Sequence, residues 1–131
     1  MQSSPPIAAL NRSRGTYLAE NVEIARTHWA RLRGLIGTTA SSFLPGQALW
    51  IVPSRGVHTL AMRFPLDLVY LDRLSKVVDL QEDVEPWRFA RLNLLAASVL
   101  ELPRGTIRRT GTARGDKIEI VTAKQPEELA A

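Results

Sequence analysis

The chain has 131 residues, of which 45% are hydrophobic and 23% are charged; its formal net charge is +4, and it contains no cysteine. This composition indicates one globular domain that can bury a core. It excludes thiol nucleophiles, cysteine zinc sites, iron–sulfur clusters and disulfides. Because the 17 cations form no run of the type K-K-R-K, the charge predicts a solvated basic surface and only weak, salt-sensitive binding to nucleic acid.

Both ends of the chain predict loose segments around this domain. Residues 1–14 form a predicted flexible leader because serine and proline occupy positions 3–6, and residues 123–131 form a predicted tail. Residues 15–122 form the predicted single domain. The sequence has neither a signal-peptide pattern nor an apolar run of membrane-spanning length, so it predicts no membrane segment and a cytoplasmic location.

The first part of the domain predicts two short strands and one helix. The strands are Thr16–Leu18 and Val22–Ile24, with Glu20-Asn21 as the turn between them. Thr27 then caps a short helix over residues 28–35, in which apolar residues recur at helical spacing. This helix is the only clear one in the sequence.

The rest of the domain predicts short strands separated by turns that contain proline or glycine. These strands are Ala48–Val52, Val57–Met62, Leu66–Asp72, Lys76–Gln81, Ser98–Leu102 and Lys117–Thr122. Arg104–Thr110 predicts a turn or a single helical turn. The predicted fold class is therefore mainly β, a β-barrel or a sandwich with one short N-terminal helix, or α+β by a lenient count.

Most catalytic templates are missing from the sequence. It contains no G-x-S-x-G, H-E-x-x-H or G-x-G-x-x-G motif. Residues 111–117 resemble a phosphate loop only faintly, since Ile118 stands where the magnesium-binding hydroxyl should be; Gly115-Asp116 instead predicts a turn before a strand. Two histidines without cysteine do not predict a protein zinc site, and no metal or cofactor is predicted.

Two polar residues on apolar strands are the main candidates for a site. Alternation along an extended segment puts His58 on one apolar face and Asp67 on another. Both faces of the Asp67 strand are apolar, so its carboxylate needs a partner: His58, Thr59, Arg63 or backbone amides. We expect His58 and Asp67 to lie close together and to mark a site, with a buried structural hydrogen bond as the alternative.

Three motifs in this order resemble the family called domain of unknown function 192. They are Arg33-Gly34-Leu35-Ile36-Gly37, then Val57-His58-Thr59-x-x-Met62-x-Phe64-Pro65-Leu66-Asp67-x-x-Tyr70-Leu71-Asp72, and finally Val99-Leu100-Glu101-Leu102-x-x-Gly105 followed by Gly115-Asp116. The resemblance covers about residues 15–122 and implies a compact, mainly β fold without an assigned activity. It also implies structural roles for Gly34, Leu35, Met62, Pro65, Gly105, Gly115 and Asp116. For Gly34 we expect a positive φ or a close backbone contact.

Three functions remain open from the sequence. The first is a small-ligand-binding module with a pocket built from His58, Thr59, Arg63, Asp67 and Glu101. The second is a hydrolase or lyase that uses His58 as the base and Asp67 to orient it, although no nucleophile is evident. The third is an adaptor for protein or nucleic acid that uses Arg26, Arg31 and Arg33. The oligomeric state is not predicted.

Overall fold

Strands are the main regular elements of the part of the chain that the structure describes. A computed structural model describes residues 6–26, 43–56, 64–86, 88 and 90–122. Its elements in chain order are β1 (Ile7–Asn11), β2 (Thr16–Ala25), β3 (Gly46–Ile51), β4 (Leu66–Leu71), β5 (Val77–Val84), β6 (Ser98–Pro103), α1 (Thr106–Thr110) and β7 (Ile118–Thr122). The mainly β class predicted from the sequence is confirmed.

The seven strands form one sheet in the order β5-β4-β6-β3-β2-β1-β7. Only the β2–β3 pair is parallel, and every other neighbouring pair is antiparallel. The sheet curls until its two outer strands meet at one end, where Lys76 bridges to Lys117. The Ile118 amide donates to the Ser75 carbonyl there at 2.9 Å. The architecture is therefore a curled half-barrel.

Apolar side chains pack on both faces of this sheet. The concave core contains buried residues from all seven strands and from α1, including Leu18, Val69, Leu100 and Ile107. On the convex face, loop residues such as Phe43, Phe64 and Ala96 cover Leu66, Leu68, Tyr70 and Val99, which together form the convex core. All six residues of β4 are buried. The sequence-based expectation that this strand is covered on both sides is confirmed.

Strand β1 corrects the predicted leader. Ile7–Asn11 lies between β2 and β7 in the sheet, whereas the sequence predicted a flexible segment over residues 1–14. The turn at residues 12–15 closes a hairpin in which Gly15 has φ +70°, a conformation that glycine adopts without strain. Pro6 therefore directly precedes a strand, and residues 1–5 lie outside the described residues.

Strand β2 corrects the predicted turn at Glu20-Asn21. It runs without interruption over Thr16–Ala25, because its first half pairs with β1 and its second half pairs with β3. A register shift between Ala19 and Asn21 accommodates the polar pair inside the strand, as a β-bulge does.

Two of the predicted elements lie outside the described residues. They are the N-terminal helix over residues 28–35, which is not confirmed, and the strand Val57–Met62. The helix that the structure describes is α1, at the position where the sequence predicted a turn or a single helical turn. No helix among the described residues is long and apolar enough to cross a membrane.

Candidate functional site

Asp67 is fully buried on the concave side of β4. Its Oδ1 accepts a hydrogen bond from the Asp83 amide at 2.9 Å, and its Oδ2 accepts one from the Ile107 amide at 3.0 Å. The Asp83 amide is available because β5 carries an extra residue opposite Leu66–Leu68, and such a bulge leaves one amide without a ladder partner. The carboxylate therefore joins β4 to β5 and to the first turn of α1.

Glu101 and Asp67 do not share a pocket. In the β4–β6 ladder Asp67 faces Leu102, and Leu68 faces Glu101. Directly opposed residues share one face of a sheet, so Glu101 lies on the convex side with Leu68 and Asp67 on the concave side. Glu101 therefore does not join Asp67 in the predicted pocket, and its inclusion there is wrong. His58, Thr59 and Arg63 lie outside the described residues, so the expected His58–Asp67 contact stays a prediction.

The family motif residues in the second half of the chain have structural contacts. Pro65 directly precedes β4, and Gly105 caps the start of α1 with φ +88°. Asp116 Oδ2 accepts hydrogen bonds at 2.9 Å from the Asn11 side chain, Arg14 Nε and the Ala113 amide. Burial raises the pKa of Asp116, but these hydrogen bonds and the Arg14 charge lower it more, so its pKa lies below the ordinary 3.8. Gly34, Leu35 and Met62 lie outside the described residues.

We expect Gly115→Ala to lower the free energy of unfolding by about 1–2 kcal/mol. Gly115 has φ +88°, and nothing lies within 4 Å of the position that a Cβ would take, so the cost is backbone strain alone. Gly115→Asn is the matched control, because asparagine tolerates this conformation better than alanine. Urea unfolding measures both variants. Equal stability of the alanine variant and the parent chain would contradict the prediction.

A second buried carboxylate, Asp79 on β5, anchors the segment that leads into β6. Arg91 binds it with two hydrogen bonds, Nε to Oδ2 at 3.2 Å and Nη2 to Oδ1 at 3.0 Å, and Arg114 Nη2 approaches Oδ1 at 2.9 Å. Burial raises the pKa of Asp79, but hydrogen bonds from the Leu80 amide and both arginines lower it more, so it lies below 3.8. This network does not show in the sequence because its members are separated along the chain.

Tyr70 on β4 also holds the segment around Arg91 in place. Its hydroxyl donates to the Arg91 carbonyl oxygen at 2.6 Å and lies 2.9 Å from Gln81 Oε1, which also accepts the Arg91 amide at 3.1 Å. Burial and the nearby Asp79 charge together raise the pKa of Tyr70 to about 12, although the Arg91 charge acts to lower it. The phenol is therefore neutral at physiological pH, and it serves as a fixed donor for the segment around Arg91.

An apolar cleft of about 930 Å³ lies beside this anchored segment. Three loops and one side chain of β5 surround it. The lining residues are Pro53, Ser54 and Arg55 after β3, Asp72, Arg73 and Leu74 between β4 and β5, Val78 of β5, and Leu94, Leu95, Ala96 and Ala97 before β6. A volume of this size falls within the range of small-molecule sites.

Backbone hydrogen bonds connect the walls of the cleft. The Ser54 amide donates to the Ala97 carbonyl at 2.9 Å, and the Ala97 amide donates to the Leu71 carbonyl at 2.7 Å. Within the β4–β5 turn, Asp72 Oδ1 accepts the amides of Leu74 and Lys76 at 2.8 and 2.9 Å. These bonds link all three loops and hold the walls of the cleft together.

Leucine side chains dominate the rim of the cleft. Leu74, Leu94 and Leu95 are 66%, 77% and 73% exposed. Monomeric proteins seldom expose apolar side chains in clusters, and such patches commonly mark binding sites. The sequence analysis did not single out these residues, although R-L-N-L-L at positions 91–95 is an unusually apolar run for a segment outside the strands. The described residues contain no cluster of ligands that could hold a metal ion.

Comparisons with known proteins confirm the family resemblance. The family model of domain of unknown function 192 (DUF192), whose description is "Uncharacterized ACR", matches residues 9–120. The chain belongs to this family. A "UPF0127 protein" of Thermococcus sibiricus is 30% identical to it over 115 residues, which cover 84% of this chain and 72% of the relative.

Two solved structures share the fold. A protein of unknown function from Novosphingobium aromaticivorans is 22% identical with a TM-score of 0.71, over 87% of this chain and 83% of its own. A protein of Sinorhizobium meliloti described as a "putative transcription regulator" is 22% identical with a TM-score of 0.69, over 94% of this chain and 100% of its own. At this identity the likeness concerns the fold alone.

Proposed function

We propose that this protein is a small-ligand-binding module whose ligand occupies the cleft between the 53–55, 72–74 and 94–97 loops. The observation that carries the proposal is the cluster of exposed leucines around a preformed apolar cleft. The class of function is the one predicted first from the sequence. The cleft is a different site from the predicted pocket, because its lining contains neither Asp67 nor Glu101. The expected cytoplasmic location is part of the proposal.

Burial of the leucines supplies the binding energy. Removing apolar surface from water gains about 25 cal/mol per Å², and Leu74, Leu94 and Leu95 each expose most of their side chains. The backbone bonds between the loops hold the walls in position. A preformed site loses less conformational entropy on binding than a site that must fold around its ligand.

The polar groups of the described lining favour binding over catalysis. Ser54 is the one hydroxyl in this lining, and its Oγ donates to the Gly56 carbonyl at 2.6 Å and accepts the Gly56 amide at 3.2 Å. Oδ1 of Asp72 is used by two turn amides. A nucleophile needs a base within hydrogen-bond reach, and the described lining offers no such pair.

Titration with Nile red, an uncharged apolar dye, tests the proposal. We expect saturable fluorescence enhancement with the parent chain and about fivefold weaker binding to Leu94→Ser, which loses part of the apolar contact. Leu44→Ser is the matched control, because Leu44 is a 51% exposed leucine that does not line the cleft. Both side chains are exposed, so neither variant is expected to unfold the protein.

Two results would contradict the proposed function. One is equal affinity of the parent chain and both variants for Nile red, since the dye would then bind elsewhere. The other is the absence of saturable Nile red binding; a concentration-dependent dimer in sedimentation would then show that the leucines serve contact between two copies. An Ala97→Phe variant, which adds a ring to the lining, should reduce dye binding as Leu94→Ser does.

A further inference from the structure

Two arginines line the cleft without partners of their own. Among the described residues, neither Arg55 nor Arg73 makes a side-chain hydrogen bond or an ion pair. Six other described arginines pair with carboxylates, as Arg91 and Arg114 do with Asp79. The cations that stay unpaired at the cleft therefore provide donors that a ligand can use.

The charge of the cleft points to a ligand with a single negative charge. Arg55 and Arg73 contribute two positive charges and Asp72 one negative charge, so the described lining has a net charge of +1. A guanidinium presents a planar set of donors that matches a carboxylate. The leucine rim fits an apolar chain on the same ligand.

We infer that the ligand is an amphipathic monocarboxylate, whose head group binds Arg55 and Arg73 and whose hydrocarbon part lies along the leucines. This inference rests on the proposed function, because it names the ligand class of the same cleft. A dianionic head group would leave excess negative charge beside Asp72. A neutral ligand would leave both guanidiniums unused.

Competition against bound Nile red separates these ligand classes. Octanoate and octanol have the same chain length, and octanol is the more apolar of the two. An apolar cleft alone would therefore favour octanol. With the arginines engaged, we expect octanoate to displace the dye at about tenfold lower concentration than octanol, and high salt should reduce this preference.

Arginine variants assign the preference to the cleft. Arg55→Gln and Arg73→Gln should each lose most of the preference for octanoate, measured as the ratio of the octanoate and octanol concentrations that displace Nile red from the same variant. Arg108→Gln and Arg109→Gln on α1 are matched controls, because these arginines do not line the cleft. They should retain the full preference.

The outcomes distinguish the inference from the proposed function. If Nile red binds but octanol competes as well as octanoate, the proposed binding function is supported and the inference of a carboxylate ligand is wrong. The same holds if octyl phosphate competes far better than octanoate, since the head group would then be a phosphate. If the control arginine variants lose the preference equally, the anion binds elsewhere. If Nile red does not bind at all, both proposals fail.

Discussion

Replacing Asp67 with alanine is expected to lower the free energy of unfolding by about 3–5 kcal/mol. The carboxylate is fully buried and accepts the amides of Asp83 and Ile107. Without it, two buried N–H groups lose their partners, and each costs about 1–3 kcal/mol. Chemical denaturation at neutral pH measures the loss.

Asp67→Asn and Asp83→Asn complete this experiment. In Asp67→Asn the side chain keeps one accepting oxygen but brings an NH2 group towards the other amide. We therefore expect the free energy of unfolding to fall by about 2–3 kcal/mol. Asp83 is the matched control: its side chain is 56% exposed and pairs with Arg104 at 3.2 Å. Surface pairs of this kind contribute at most about 1 kcal/mol. Similar losses at both positions would show that the buried hydrogen bonds are not the cause.

Asp67 also illustrates what the sequence could predict. Alternation along β4 correctly assigned Asp67 to one buried face with Val69, and Leu68 to the other. The sequence also indicated that the carboxylate needs a partner. It could not identify that partner among several candidates, because the Ile107 amide is 40 positions away along the chain and only tertiary structure brings α1 to β4.

Register explains why Asp67 and Glu101 do not share one face, as the predicted pocket with Glu101 required. Whether Asp67 and Glu101 share a face depends on which residues of β4 and β6 lie opposite each other, and a shift of one residue reverses the answer. The observed register pairs Glu101 with Leu68. A single sequence carries the periodicity of each strand but not the alignment between strands, so a combined site could not be derived from it.

The cleft depends on tertiary structure to an even greater degree. Arg55, Leu74 and Leu95 belong to three loops that are far apart in the sequence, and no loop alone shows that it lines a shared cleft. They meet because β4 pairs with both β5 and β6 and because Ala97 accepts a hydrogen bond from Ser54 and donates one to Leu71. Strand order therefore creates this site.

Asp79→Asn is expected to lower the free energy of unfolding by about 2 kcal/mol at neutral pH. It should also make the free energy of unfolding fall less steeply as the pH is lowered. The carboxylate is buried and bonded to Arg91 and Arg114, and its pKa lies below 3.8 in the folded chain. A carboxyl with a lowered folded-state pKa stabilises the protein above its unfolded-state pKa. This contribution is lost as the pH falls through the folded-state value.

Measuring the free energy of unfolding as a function of pH therefore separates the effect of a charged carboxylate at position 79 from that of a neutral side chain. The parent chain should lose stability steeply below about pH 4, partly through Asp79 and partly through Asp116, whose pKa is lowered in the same direction. Asp79→Asn should show a shallower slope, and Asp79→Asn combined with Asp116→Asn a shallower slope still. Asp72→Asn is the control for an aspartate that accepts turn amides without an arginine partner.

The same variant tests whether the anchor supports the cleft. Asp79 holds Arg91, and the segment from Arg91 to Ala97 supplies one wall of the cleft. Loss of the carboxylate should loosen this wall, so Nile red should bind Asp79→Asn more weakly than it binds Asp116→Asn, which contacts a different part of the fold. Unchanged dye affinity alongside the expected loss of stability would mean that Tyr70 and Gln81 hold the wall without Asp79. Asp79 would then stabilise the fold without positioning the site.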